Sequence, residues 1–450
     1  MHSLFIKHAK LLVTMNDAGD EIDDGAMLIK GKRIVYVGTT ASAPAEAAHA
    51  SEVIDLKHEH LLMPGLINTH HHMVQTLTRA VPQAQNVELF AWLKTLYPIW
   101  ARLTSKAVLV SHQLAMAELM LAGCTTSTDH TYIFPNDCRL DDSIEAARRT
   151  GIRFHTTRGA MSVGESQGGL PPDRVVEDEA FILKDMQRLV ETYHDSAPGA
   201  MLRIALAPCS PFTVSENLMR ESAKLAEHFG VGLHTHLAES ERDVAYSLEK
   251  FGKTPAEYAD SLGWVGPGVW HAHCVCLDQA GMSLFARTGT GVAHCPASNM
   301  RLASGIAPIR EMRAAGVPVG LGVDGSASND SGNLLNEARQ AMLLARVRAI
   351  RPDTHDGDPA AMTARQALYL ATRGGAAALN RPELGSLEAG KAADCISFDL
   401  NDHRFAGALH DPVAALVFCD SVPVRHNIIN GVVRVRDGVL QSVELPKLVR

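Results

Sequence analysis

Between residues 60 and 380 the chain alternates short apolar runs with stretches whose apolar residues recur every three or four positions. The runs cover 61–68, 124–129, 152–157, 202–207, 231–237, 269–273, 291–294 and 317–323. Each has the length of a strand buried on both faces. The intervening segments 106–122, 172–194, 215–229 and 334–349 carry the helical period. In the first of these Val110, Leu114, Ala117 and Leu121 share a face, and Gly123 follows as a stop. Eight strand–helix alternations predict a closed (β/α)8 barrel. The two ends read differently. Residues 3–14, 26–30, 33–37 and 53–56 read as strands, with Gly31-Lys32 as a hairpin turn; 394–400, 413–418, 424–429 and 432–435 read likewise, with Asn430-Gly431 as a turn. The expectation is one small β domain built from both ends (1–59 with 381–450) around a barrel over 60–380.

Composition narrows the function. With 46% hydrophobic residues the 450-residue chain can bury a large core. Lys and Arg number 42 against 50 Asp and Glu, a net charge of −8, which argues against a nucleic-acid binder. No apolar run reaches the ~18 residues of a membrane span. Lys7 and Lys10 interrupt the first apolar stretch too early for a signal peptide, so a cytoplasmic protein is expected. Eight scattered Cys, none in a Cys-x-x-Cys spacing, indicate neither a disulfide framework nor a zinc ribbon. The unusual count is 22 His, because imidazole is the commonest metal ligand.

Barrels carry their chemistry at the C-terminal ends of the strands, and the His collect there. The first strand ends in Asn68-Thr69-His70-His71-His72, the fifth in His234-Thr235-His236-Leu237-Ala238-Glu239, the sixth in His271-Ala272-His273, and the eighth in Asp324. Alternation along a strand puts His70 and His72 on one face and His71 on the other. Two imidazoles on one face can grip a cation. A third His and a carboxylate from other strand ends favour this over an exposed His run. Spacing does not choose between His234 and His236 for the third imidazole. Glu239 follows the fifth strand; it suits general acid–base work beside an ion, or the start of a helix. Asp324 suits a ligand, or a turn. Three neutral His and one Asp leave a divalent ion with open positions, the pattern of a catalytic site, and admit zinc, iron, manganese or cobalt. His58, His60, His355, His403, His410 and His426 lie outside strand ends and read as surface or packing residues. Met116 and Met120 read as core filler. Arg373-Gly374-Gly375 falls within a helical pattern and is a poor phosphate cradle.

These residues together resemble a known family. Pro64-Gly65 with Asn68-Thr69-His70-His71-His72, His236-Leu237-Ala238-Glu239, Ala272-His273-Cys274-Val275, Cys295-Pro296-Ala297-Ser298-Asn299, Gly322-Val323-Asp324-Gly325 and the segment from Gly385 to Asp394 look like the amidohydrolase superfamily. The branch is the one with cytosine, guanine and S-adenosylhomocysteine deaminases and chlorohydrolases. Its fold is a distorted (β/α)8 TIM barrel with a small β-sandwich from both termini. Thr157-Arg158 to Ser162, Gly168 to Pro172 and His410 to Leu416 are similar to the subgroup that deaminates 8-oxoguanine, with hydroxyatrazine-type aminohydrolases nearby. By position, the resemblance implies His70, His72, His236 and Asp324 as metal ligands, favouring His236 over His234. It implies Glu239 as the proton shuttle and His273 as the residue that orients the attack, with Asp324 accepting the second proton. Gln75 and Arg158 are implied as purine contacts. Ala205 and Pro208 on the fourth strand supply no bridging Lys, which implies one divalent ion, zinc foremost and iron as alternative. The implied reaction turns an aminopurine, 8-oxoguanine first, into an oxopurine (uric acid) and ammonia. Guanine, a hydroxytriazine and adenosine-type compounds are the alternative substrates. The implied partner is a small heterocyclic molecule, with homo-oligomers common in the family.

Overall fold

The computed structural model describes residues 2–351 and 356–450; His355 lies outside them. Eight parallel strands close a barrel: Leu66–Asn68, Cys124–Thr131, Arg153–Ala160, Leu202–Pro208, Gly232–Leu237, Val269–His273, Gly291–His294 and Val319–Leu321. Each matches one of the eight apolar runs, and Leu321 pairs with Asn68 to close the ring. Helices from the expected segments cover its outside, among them Ser105–Leu121, Glu179–Tyr193, Glu216–Phe229 and Leu334–Arg348. Thr104 and Ser215 cap the first and third of these by accepting from Ala107 N and Leu218 N. Among the described residues no helix is long and apolar enough to cross a membrane.

A nine-stranded sheet lies outside the barrel and joins both ends of the chain. Its central pairing sets His60–Pro64 antiparallel to Cys395–Asp399. Both turns read from the sequence are present. Asn430 and Gly431 take φ of 55° and 78°, the left-handed values a two-residue hairpin needs, and Ile429 pairs with Val432. A buried bidentate pair, Arg153 Nη2 to Asp394 Oδ1 at 2.9 Å, links the third barrel strand to this sheet.

Two sequence expectations change. The single run 61–68 is two strands in two sheets, His60–Pro64 and Leu66–Asn68. The break falls at Pro64-Gly65. A Cβ on Gly65 would sit 2.1 Å from the Thr125 side chain, so only glycine lets the chain cross into the barrel there. The run 413–418 is a helix, Pro412–Phe418, not a strand. Pro412 sits at its first turn and Asp411 caps it by accepting from Ala414 N at 3.1 Å. Apolar content alone does not distinguish a buried strand from a buried helix.

Candidate metal centre and active site

The barrel mouth gathers His70, His72, His236 and Asp324, residues separated by up to 254 positions in sequence. His72 Nε2 lies 3.0 Å from His236 Nε2. Asp324 Oδ1 lies 3.3 Å from His70 Nε2 and 3.4 Å from His72 Nε2. Turns with left-handed backbone present these groups. Asp324 (φ 60°), Ala238 (φ 50°) and His273 (φ 70°) all take it at or just beyond strand ends, a conformation that collects at functional sites. Below the mouth, Asn68 Oδ1 accepts from Val323 N at 2.9 Å and tethers the first strand to the eighth.

The far nitrogen of each ring fixes its tautomer. His72 Nδ1 donates to His130 O at 2.6 Å, and His236 Nδ1 donates to Cys209 O at 2.6 Å. His70 Nδ1 donates to His234 Nε2 at 2.8 Å, because His234 Nδ1 already donates to Trp270 O at 2.7 Å. All three Nε2 atoms therefore carry bare lone pairs, and they converge with a carboxylate. His70 Nε2 is buried without a hydrogen-bond partner. Lone pairs facing at 3.0 Å repel unless a cation stands between them. Burial lowers the basicity of all three rings, His236 to about 3, which keeps them neutral and ready to ligate. For Asp324, burial opposes charge, but His70 and the neighbouring rings outweigh it and hold the carboxyl well below its usual range. These residues fit a divalent ion.

The structure thus resolves the pair left open in the sequence: His236 faces the centre, and His234 supports His70 from behind. His130, not expected from the sequence, places a nitrogen within 4.8 Å of ligand atoms from His70, His72 and His236. It is the penultimate residue of the second barrel strand, within Asp129-His130-Thr131, and that position near the strand end was the available signal.

Glu239 and His273 face the same point. Ser240 and Asp243 cap the following helix, Glu241–Phe251, between them. The Glu239 side chain is thereby freed from capping, and its Oε1 is buried without a partner. Burial pushes its carboxyl up to about 7. His273 Nε2 lies 3.6 Å from Glu239 Oε2 and 3.9 Å from Asp324 Oδ2. Burial works against charge on His273, but Glu239, Asp324 and Asn299 together hold the imidazole above its ordinary range. Asn299 accepts from His273 Nδ1 at 2.9 Å, which aims Nε2 at the mouth. The sequence motif contained Asn299, but nothing in it marked this role.

A cavity opens over these groups, lined by His72, His236, Glu239, His273 and Asp324. Leu89, Trp92, Leu93, Phe212 and Leu302 give it apolar walls, suited to a flat ring system. Gln75 Oε1 and the Tyr97 hydroxyl are buried lining groups with no partner. A Cβ on Gly325 would fall 1.8 Å from Gln75 Oε1, so glycine there makes room for the amide. Tyr97 comes from the helix Leu89–Trp100, which carries no chemical motif and was not singled out from sequence.

Arg158 is not brought to this cavity. Its guanidinium stacks on Phe134 at 4.1 Å from the ring and is held by Glu177 at 2.8 Å and Asp185 at 2.7 Å, in a separate surface cleft. Strand parity explains this, because neighbours on one strand face opposite sides.

The amidohydrolase family model matches residues 61–434. The chain is 44% identical over 427 residues to 8-oxoguanine deaminase of Pseudomonas aeruginosa, covering 94% of this chain and 92% of that protein. It is 38% identical to hydroxydechloroatrazine ethylaminohydrolase of Pseudomonas sp. strain ADP, covering 98% and 92%. Its fold superposes on atrazine chlorohydrolase from Arthrobacter aurescens TC1 complexed with zinc, with a TM-score of 0.91, 35% identity, and 99% and 98% of the two chains covered.

Proposed function

Because the chain belongs to the amidohydrolase family and shares the C–N hydrolysis of its deaminases, we propose that it hydrolyses the amino group of an aminopurine, 8-oxoguanine first, releasing ammonia and uric acid. The observation that carries the chemistry is the convergence of three bare Nε2 lone pairs on Asp324, with Glu239 and His273 on the cavity side. His70, His72, His236 and Asp324 would hold one divalent ion; zinc is proposed from the likeness to the zinc-complexed relative, with iron as the alternative. When bound, such an ion lowers the pKa of water toward about 7.

The chain's own residues supply the proton transfers. Glu239, poised near neutrality, takes a proton from the attacking water and gives it to a ring nitrogen beside the amino-bearing carbon. Oxygen then adds to that carbon. His273 Nε2 donates to the developing oxyanion, aided by the charge its carboxylate neighbours favour. Asp324 accepts the remaining water proton and passes it to the amine. The C–N bond breaks, ammonia leaves, and a ring carbonyl remains. Gln75 and Tyr97 meet the polar edge of the heterocycle while the apolar walls hold its faces; Arg158 takes no part. The likeness to the Pseudomonas aeruginosa deaminase supports the purine, and the likeness to hydroxydechloroatrazine ethylaminohydrolase supports a hydroxytriazine as the second reading. We place the activity in the cytoplasm and in a homo-oligomer as part of the same proposal.

The test is metal-loaded enzyme incubated with 8-oxoguanine, guanine, isoxanthopterin, adenosine and a hydroxytriazine, following ammonia and the ultraviolet spectrum. The highest kcat/KM is expected on 8-oxoguanine. Turnover confined to another member of the panel would reassign the substrate, and none on any would overturn the activity.

A further inference from the structure

On the outer sheet, one ring nitrogen each from His8 and His58 and one carboxylate oxygen from Asp24 lie within 4.8 Å of one another. We propose that these three side chains form a second metal site, for a divalent first-row transition ion such as zinc. Neither His belongs to the barrel mouth, and His58 reads from sequence alone as a surface residue.

Three pieces of backbone bring the side chains together. His8 sits where the strand Ser3–Val13 shifts register between Ile6 and Ala9. Asp24 comes from the neighbouring strand Glu21–Lys30. His58 lies in the link between Glu52–Asp55 and His60–Pro64, and its N–H donates to His8 O at 2.7 Å. All three residues take left-handed backbone, with φ of 53°, 47° and 58°, which bends each off the regular strand path.

The donor chemistry points to a cation. His8 Nδ1 lies 2.9 Å from Asp55 Oδ1, and Lys57 N donates to the same oxygen at 3.0 Å. Asp55 Oδ1 thus accepts from the His8 Nδ1–H and leaves Nε2 with its lone pair, the carboxylate–imidazole support typical of metal-bound His. His58 Nδ1 lies 3.6 Å from Asp24 Oδ1. That is too long for a hydrogen bond. It is near the roughly 3.3–3.5 Å between two ligands on a tetrahedral ion with bonds of about 2.0–2.2 Å. Asp24 Oδ1 is closed off from solvent and has no hydrogen-bond partner, a costly state for a carboxylate oxygen. Lys7 Nζ pairs with Asp55 Oδ2 at 3.4 Å, and among the described residues no Lys or Arg forms an ion pair with Asp24. A cation between the two rings and this oxygen would satisfy it. Two imidazoles with one carboxylate select zinc, nickel, copper or cobalt over calcium or magnesium. Partial exposure of the cluster leaves coordination positions for water. Such an ion would pin the link that leads directly into His60–Pro64 and on to the barrel's first strand.

The experiment counts zinc per chain by mass spectrometry after holoenzyme is equilibrated with micromolar zinc and freed of excess by gel filtration, with Tm measured alongside. Wild-type protein is expected to bind one equivalent more zinc than Asp24→Asn or His58→Asn, and to gain Tm from added zinc that the variants do not. Asn tolerates left-handed backbone, and neither residue belongs to the catalytic machinery, so kcat is expected to be unchanged in both. Equal zinc content in wild type and both variants overturns the proposal, whether the shared content is one equivalent or two.

Discussion

Two tiers of imidazole fill the barrel, and they differ in where their lone pairs go. In the upper tier His72 and His236 each spend Nδ1 on a backbone carbonyl and turn Nε2 toward the other across 3.0 Å. In the lower tier His234 spends both nitrogens, one on Trp270 O and one on His70. His234 is fully buried and His236 half-buried, and the two are two residues apart on one strand. Burial and residue type therefore do not make a ligand. A ligand is a ring whose far nitrogen is occupied and whose near nitrogen is left bare beside others like it.

The sharpest break of this comparison is His72→Ala or His236→Ala. Each removes an upper-tier lone pair, and each is expected to abolish both stoichiometric metal at the mouth and deaminase activity. Metal analysis and kinetics check this. Glu239→Gln comes next. It removes a proton carrier but no ligand, so kcat is expected to fall about 10²–10⁴-fold with metal content unchanged. Full activity in that variant would end the acid–base assignment.

The same carboxyl sets a pH dependence. Burial raises it to about 7. Its basic form is the carboxylate, so activity rises as pH climbs through this value and falls about tenfold per unit below it. A bound cation favours the carboxylate, so the acid limb of kcat/KM lies at or below pH 7. Glu239→Gln is expected to remove it.

His234→Gln tests the lower tier. Its loss frees His70 to rotate, and metal affinity is expected to weaken about 10–100-fold, a smaller change than deletion of an upper ring. Equal losses would erase the distinction between tiers. The smallest expected effect is Tyr97→Phe. Removing one neutral hydrogen-bond donor to the heterocycle costs about 0.5–1.5 kcal/mol, or roughly 2–12-fold in kcat/KM, with metal content intact.

Much of this was legible in advance. All eight barrel strands could be placed, most of them as short apolar runs, although Cys124–Thr131 is buried along its whole length with mainly Thr, Ser, Asp and His. The strand ends that carry the clustered His and Asp324 followed, because barrel chemistry sits there. What failed did so for identifiable physical reasons. Residues 413–418 are apolar enough for either element, and the choice was made by Asp411 and Pro412 just before them. Arg158 stood in a segment the resemblance singled out, yet two carboxylates and an aromatic ring outside the barrel claim its guanidinium. Tyr97 lies in a helix with no chemical signature and matters only through what it overhangs.

By itself the sequence determined the kinds of donor and their rough placement: imidazoles and one aspartate at the ends of strands. Those follow from periodicity and composition, which are local. Only the tertiary structure decided which nitrogen of each ring is bare, which carboxyl is lifted toward neutrality, and which arginine is already spent. Those depend on acceptors and burial supplied by residues far away in the chain, and no local pattern encodes them.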